Sequence, residues 1–353
     1  MIPANVNEIS AEWLSEILSS GGTVLEVSEK QIEAIGHGMM SNLYRVNLSY
    51  RSGAGPASLV IKLPAENQQN REVAVSFEIY KREVNFYSRL AEKTPMRVPQ
   101  TLLSECSSSD SFVIVMEDLL SWAPGDQVAG CSIADAKAAI DSLADLHATF
   151  WNSVDHDSFD WIPDSFRSIM SRGLYEGVAA GYDNFVDLFS KILSPELAGS
   201  KEKFLNGLTG MQEWINQTPR TVIHGDFRLD NLLFRSMDDS SEVACCDWQA
   251  CLRGKGGHDL AYFLAGSLET EIRRDSEHEL IERWVAGLSK RGVEDYGEEE
   301  AFLDYRKAIM FLWTYVVNNG GLASASQRDY DWVEKQVQRH ADAIMDHRCL
   351  DLI

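Results

Sequence analysis

Positive charge is scarce in this sequence. Its 32 lysines and arginines stand against 54 aspartates and glutamates, a formal net charge of −22, and neither sign gathers into a long run. Nucleic acid and anionic membrane surfaces select basic faces, so neither is expected as a partner. Long apolar runs are missing as well. No stretch approaches the roughly 20 apolar residues of a membrane span, and Met1–Glu8 has neither a basic segment nor an apolar run, so no secretory leader is expected there. The six cysteines (Cys106, Cys131, Cys245, Cys246, Cys251, Cys349) form no Cys-x-x-Cys pair and have no histidines at zinc spacing. A reduced, cytoplasmic setting is the expectation. There is no internal repeat and no low-complexity segment.

What is present is a chain of 353 residues with 44% hydrophobic content, enough for a large core in two domains or lobes. The stretch that organises it is Thr221–Phe234, which reads Thr-Val-Ile-His-Gly-Asp-Phe-Arg-Leu-Asp-Asn-Leu-Leu-Phe. An acid, a guanidinium and an amide sit in a short polar loop between two apolar runs, and loops held by rigid flanks carry catalytic groups. Asn231–Phe234, the turn Met237–Ser241 and Val243–Asp247 read as a β-hairpin. It would bring Asn231 near Asp247, so that one oxygen from each reaches a cation. Asp226 stays outside that pair, free to take the proton of a hydroxyl. Each acid alone has a plain reading as a turn residue, but together they have the spacing that phosphoryl transfer needs.

The first third of the chain supplies candidates for a nucleotide site. A helix over Ile9–Leu18 is expected, with Ser10 as N-cap and Gly21–Gly22 as its stop. Gln31–Ile35 and Leu43–Leu48 read as strands joined by the turn Gly36–Asn42, whose backbone N–H groups and Ser41 hydroxyl could cover phosphates or simply turn the chain. Ser58–Pro64 is an alternating strand carrying Lys62. In the next helix Ile79, Glu83, Phe86 and Leu90 share one face, so Glu83 is the single charge on an apolar stripe. Glu78, with Lys81, Arg82 and Asn85, reads as solvated. A buried carboxylate needs a partner, and Lys62 is the obvious one, either for structure alone or to hold the lysine ready for the α- and β-phosphates of ATP. Ser111–Leu119 reads as a strand buried on both faces that runs into a connector, where backbone groups of Glu117 and Leu119 would face an adenine edge.

Beyond Ser132 the pattern is helical. Ile140, Leu143, Ala144, His147 and Trp151 form one face, with His147 read as a hydrogen-bonded core histidine. Residues 152–220 are aromatic-rich and mostly helical, broken at Pro163, Gly173, Gly181 and Pro195. Asp259 is a natural N-cap for the helix that follows it, and can equally brace the catalytic loop.

These residues resemble the aminoglycoside phosphotransferase and choline kinase-like superfamily of small-molecule kinases over nearly the whole chain. The most specific piece is His224-Gly225-Asp226-x-x-x-x-Asn231 with Asp247 beyond it. Val60–Pro64, Arg82–Tyr87, Met116–Leu119, Leu146–Ala148 and Asp259–Phe263 support it, and Asp247-Trp248-Gln249 with Lys62-Leu63-Pro64 look nearest the ecdysteroid kinase-like branch. The resemblance implies an α+β, protein kinase-like, two-lobed fold, with a β-rich N-lobe over residues 1–118 and a mostly helical C-lobe over 119–353. It implies ATP- and Mg²⁺-dependent phosphorylation of a hydroxyl on a small molecule: an amino alcohol, an aminoglycoside-like compound, a sugar or a sterol-like alcohol. Asp226 would be the base, with Arg228 helping to neutralise the phosphoryl group. Asn231 and Asp247 would be the metal ligands, and Lys62 with Glu83 the phosphate-positioning pair. The turn before Ser41 and Asn42 would cover the phosphates, though it lacks the Gly-x-Gly-x-x-Gly form. The competing reading is an inactive nucleotide-binding pseudokinase acting as sensor or scaffold; against it, the lysine, the base and both metal positions are all present. Protein kinase activity is disfavoured, since no Ala-Pro-Glu segment follows Asp247.

Overall fold

The computed structural model describes residues 2–19, 24–37, 40–165, 169–237, 240–321 and 327–353. Two compact units emerge. The first comprises residues 1–93, 98–121 and 246–250, and the second 94–97, 122–245 and 251–353. The α+β class expected above is the one found.

The first unit contains α1 (Ala11–Ser19), β1 (Glu26–His37), β2 (Ser41–Ser52), β3 (Ser58–Pro64), α2 (Gln68–Ser76), α3 (Ile79–Arg89), β4 (Thr101–Ser108) and β5 (Ser111–Glu117). The five strands form one sheet in the order β1-β2-β3-β5-β4, with every neighbouring pair antiparallel. α1 starts as expected, the Ser10 hydroxyl accepting the Trp13 N–H at 3.1 Å; its expected stop at Gly21–Gly22 lies outside the described residues. Leu14 of α1 packs with Val46 of β2 and with Leu59, Ile61, Leu63, Val113 and Val115, the odd face of β3 and β5. The even face looks the other way, toward α3, where Tyr80 stacks on Phe112 with ring centroids 4.3 Å apart. Helices on both sides therefore bury β3 from Leu59 to Pro64, and Lys62 goes in with its neighbours. Each apolar side chain so buried contributes about 1.5–3 kcal/mol.

On α3 the stripe Ile79, Glu83, Phe86, Leu90 is buried as expected, but Arg82 does not share the solvated face of Glu78. Its guanidinium is buried and donates to the carbonyls of Phe77 (2.9 Å) and Gln249 (3.2 Å). Phe86 stacks on Trp248 with centroids 3.5 Å apart. These two contacts tie Cys246–Ala250 to the first unit.

The second unit begins with β6 (Ala123–Pro124) and α4 (Ile133–Thr149), continues through α5 (Ile169–Leu188), α6 (Pro195–Ala198) and α7 (Lys201–Ile215), and then forms β7 (Thr221–Ile223), β8 (Leu232–Ser236), β9 (Ser241–Cys245) and β10 (Leu252–Gly254). It closes with α8 (Gly257–Ser267), α9 (Thr270–Lys290), α10 (Glu298–Asn319) and α11 (Gln327–Asp346). Ser132 caps α4, accepting the Asp135 N–H at 3.1 Å. Trp151 falls beyond the end of α4, where it packs edge-on against Tyr296 at 4.9 Å instead of extending the helical stripe. α5 runs unbroken through Gly173 and Gly181, contrary to the expected breaks. A glycine inside a helix costs about 1 kcal/mol, which tertiary packing readily offsets. Pro195 does mark a boundary, opening α6 after the Ser194 cap. The β8–β9 hairpin forms in the register Leu232–Cys245, closed by the Met237 N–H on the Ser240 carbonyl at 2.8 Å; residues 238–239 of its turn lie outside the described residues.

Candidate active site

In the first unit the buried lysine meets two acids. Lys62 Nζ lies 2.8 and 2.7 Å from the two Glu83 carboxylate oxygens and 2.9 Å from Asp247 Oδ1. Lys62 and Glu83 are 3% and 1% exposed, whereas the Asp247 side chain keeps 30% of its surface. Burial pushes the Glu83 carboxyl up to about 7, against the lowering pull of Lys62. On Lys62 burial works downward, but the two carboxylates outweigh it and the net direction is up. Asp247 has φ 63°, a left-handed conformation that an aspartate tolerates better than most residues. The Lys62–Asp247 contact was hidden in the sequence, because the two residues are 185 positions apart.

Ser41 and Asn42 do not lie in an open turn. They begin β2, paired with Pro64 and Leu63 of β3, and the Ser41 side chain is buried. Strand pairing has taken over residues that the glycine-rich text assigned to the turn, and residues 38–39 of that turn lie outside the described residues. Glu117 ends β5, its N–H donating to the Gln100 carbonyl at 2.9 Å, and Leu119 follows just past the strand. Between them sequence reasoning missed Asp118, which accepts from Arg45 Nε at 2.6 Å and from the Ser58 hydroxyl at 2.7 Å and so pins the end of β5.

In the second unit β7 leads into the polar loop and β8 leads out of it. Gly225 takes φ 82°, which favours glycine and turns the chain sharply before Asp226. Phe227 and Leu229 are fully buried and anchor the loop on either side of Arg228. The Asn231 amide nitrogen donates to Asp226 twice, to the backbone carbonyl and to carboxylate Oδ2, both at 2.9 Å. Two acceptors on one side fix the amide orientation, so the Asn231 oxygen is turned away from Asp226. Arg228 Nε lies 3.3 Å from Asp226 Oδ1, its Nη1 donates to Asp230 Oδ2 at 2.7 Å, and its guanidinium lies 5.1 Å from the Trp332 ring centroid. The Asp226 side chain is 23% exposed, enough for a small molecule to reach it.

Asp259 does not cap α8; that position belongs to Gly256. Its buried carboxylate instead accepts the backbone N–H groups of His224 (2.6 Å) and Gly225 (2.9 Å). Burial would raise its pKa, but hydrogen bonds from His147 and His258 outweigh burial and hold it below the usual carboxylate range. His147 is the core histidine expected, with Nε2 3.2 Å from Asp259 and Nδ1 accepting the Trp284 indole N–H at 3.2 Å. One turn along α8 is Tyr262, whose phenol is raised well above its ordinary value by burial and by the negative charge of Asp226.

In the second unit the Asn231 amide oxygen, whose orientation is fixed, is a donor of the kind magnesium accepts. In the first unit the partly exposed Asp247 carboxylate is such a donor too. Among the described residues no helix is long and apolar enough to cross a membrane.

A family model described as the ecdysteroid kinase-like family matches residues 35–292. No curated protein matches the chain. Among solved structures, a choline kinase from Cryptosporidium parvum superposes with a TM-score of 0.57 at 11% identity, covering 98% of each chain. A GDP complex of an aminoglycoside 2′-phosphotransferase gives 0.56 at 13% identity, over 96% of this chain and 98% of that one. An ethanolamine kinase from Plasmodium vivax gives 0.54 at 14% identity, over 95% and 90%. At such identities the likeness is one of fold.

Proposed function

Because the chain belongs to the ecdysteroid kinase-like family, we propose that it transfers the γ-phosphoryl group of ATP to a hydroxyl of a small molecule, with magnesium. The observation that carries this reading is the Asp226 carboxylate, partly exposed and oriented by the Asn231 amide at 2.9 Å, in a loop whose backbone Asp259 holds. An oriented, solvent-reachable carboxylate is what a general base requires. Asp226 accepts the proton as the acceptor oxygen bonds to phosphorus and the bond to ADP breaks. Arg228 offsets negative charge beside it. Lys62, kept charged by Glu83, binds the α- and β-phosphates, exchanging Asp247 for phosphate oxygens. Asn231 and Asp247 would hold magnesium, which neutralises phosphate charge when bound. The connector at Glu117 and Leu119 would receive the adenine, and the start of β2 at Ser41 and Asn42 would adjoin the phosphates.

Trp332 over Arg228 puts aromatic surface beside the base, which favours an acceptor with an apolar face over a bare polycation. A screen of ATP consumption against sterol-like alcohols, amino alcohols, sugars and aminoglycosides should yield a substrate. Asp226→Ala should then lower transfer about 10²–10⁴-fold while Mg–ATP binding is kept. Normal turnover in that variant would remove Asp226 from the base role.

A further inference from the structure

Asp259 holds the catalytic loop at His224 and Gly225, before the base. After the base, at Leu229 and Asp230, the loop is held by a residue with no motif around it. Gln127 follows β6 and is 2% exposed. Its side-chain oxygen accepts the Leu229 N–H at 2.9 Å and the Ser267 hydroxyl at 3.1 Å, and its amide nitrogen donates to the Gly266 carbonyl at 2.9 Å. Its own N–H donates to Asp230 Oδ1 at 3.2 Å. Its carbonyl accepts from Arg339 Nη1 of α11 at 2.6 Å, and the same guanidinium reaches the Gly266 carbonyl (3.2 Å), the Val128 carbonyl (3.0 Å) and Glu269 (2.6 Å). The chain just before it is equally close: the Gly125 N–H donates to the Leu232 carbonyl at 2.9 Å, and a Cβ on Gly125 would stand 2.4 Å from the Leu229 carbonyl oxygen.

A buried amide with this many partners has one orientation, and a satisfied polar network in the interior is rigid. It specifies where Leu229 sits, and two residues on, Asn231 orients Asp226. We propose that Gln127 is a positioning residue for phosphoryl transfer, fixing the second half of the catalytic loop through its side-chain oxygen and thereby the Asn231–Asp226 bond. The transfer part rests on the function proposed above; the holding of the loop does not.

Three variants separate the contributions. Gln127→Met keeps the volume and removes the acceptor. Gln127→Asn keeps the amide and loses the reach. Gln127→Glu, as the buried protonated acid, keeps an acceptor for Leu229 and a donor for Gly266. Hydrogen exchange of the Leu229 amide should quicken about tenfold in the Met and Asn variants, the weight of one hydrogen bond, with His224 and Gly225 unchanged and the Glu variant close to wild type. With an acceptor in hand, kcat should fall in parallel in the same two variants while KM for ATP holds. An unchanged Leu229 amide, or acceleration spread evenly over the second unit, overturns the proposal, as does an unaltered kcat beside a quickened amide. Absence of any Asp226-dependent turnover in the wild type would instead sink the transferase reading, and the Leu229 amide would still decide whether Gln127 holds the loop.

Discussion

At 1% exposure Glu83 leans on Lys62, whose two short contacts work against the burial that raises its carboxyl to about 7. Such a pair is weak evidence for stability, because desolvation of both charges offsets most of their attraction. Removing Lys62 alone should cost about 3–5 kcal/mol, since it leaves an uncompensated buried acid. Replacing both at once, as Lys62→Met with Glu83→Leu, should leave the fold within about 2 kcal/mol of wild type and yet abolish nucleotide binding. Urea unfolding and ATP titration of the double variant check this; a large loss of stability there would make the pair a structural element. The stripe on α3 made Glu83 and its need for a partner legible. Asp247 as a second partner of Lys62, Asp118 under Arg45 and Gln127 under Leu229 were not, because each depends on residues that only tertiary folding brings together, and none carries a local pattern.

Elements were read better than their limits. The β8–β9 hairpin was legible because two apolar runs flank a polar turn, and the doubly buried β5 because its apolar text is nearly continuous. α5 was misread at its glycines, where local propensity lost to packing. α11 carries polar groups that the fold buries. One is His340, whose Nδ1 lies 3.0 Å from the Gln336 carbonyl one turn back. Burial depresses its pKa from 6.5 to about 4, and Arg339 and Arg273 push the same way. The folded pKa lies below the unfolded one, so between pH 4 and 6.5 the unfolded chain binds more protons. The stabilisation is complete above pH 6.5 and is lost as pH falls through this window, on the order of 3 kcal/mol in all. The difference in unfolding free energy between wild type and His340→Gln should therefore shrink from pH 7 to pH 4. A difference independent of pH would show that His340 is protonated alike in both states.

At the scale of the whole molecule the dominant fact is the charge of −22. The sequence left no doubt about the sign, and the structure gathers the positive groups of the candidate site beside acids: Lys62 between Glu83 and Asp247, Arg228 between Asp226 and Asp230. On the function proposed above, an anionic nucleotide would approach against the overall field and be held by groups already neutralised by neighbours. Raising ionic strength from 10 to 150 mM shortens the screening length from about 30 to about 8 Å, which weakens the long-range repulsion and leaves contacts at 3 Å nearly untouched. At fixed free magnesium, the association rate of ATP should accordingly rise over this range, and the dissociation rate should change little. Stopped-flow binding at several salt concentrations measures both. A protein that collects phosphates with an exposed basic surface behaves the opposite way, its affinity falling steeply with salt. That opposite slope, if found here, would mean that the local field at the nucleotide site is positive in spite of the acids drawn around Lys62 and Arg228.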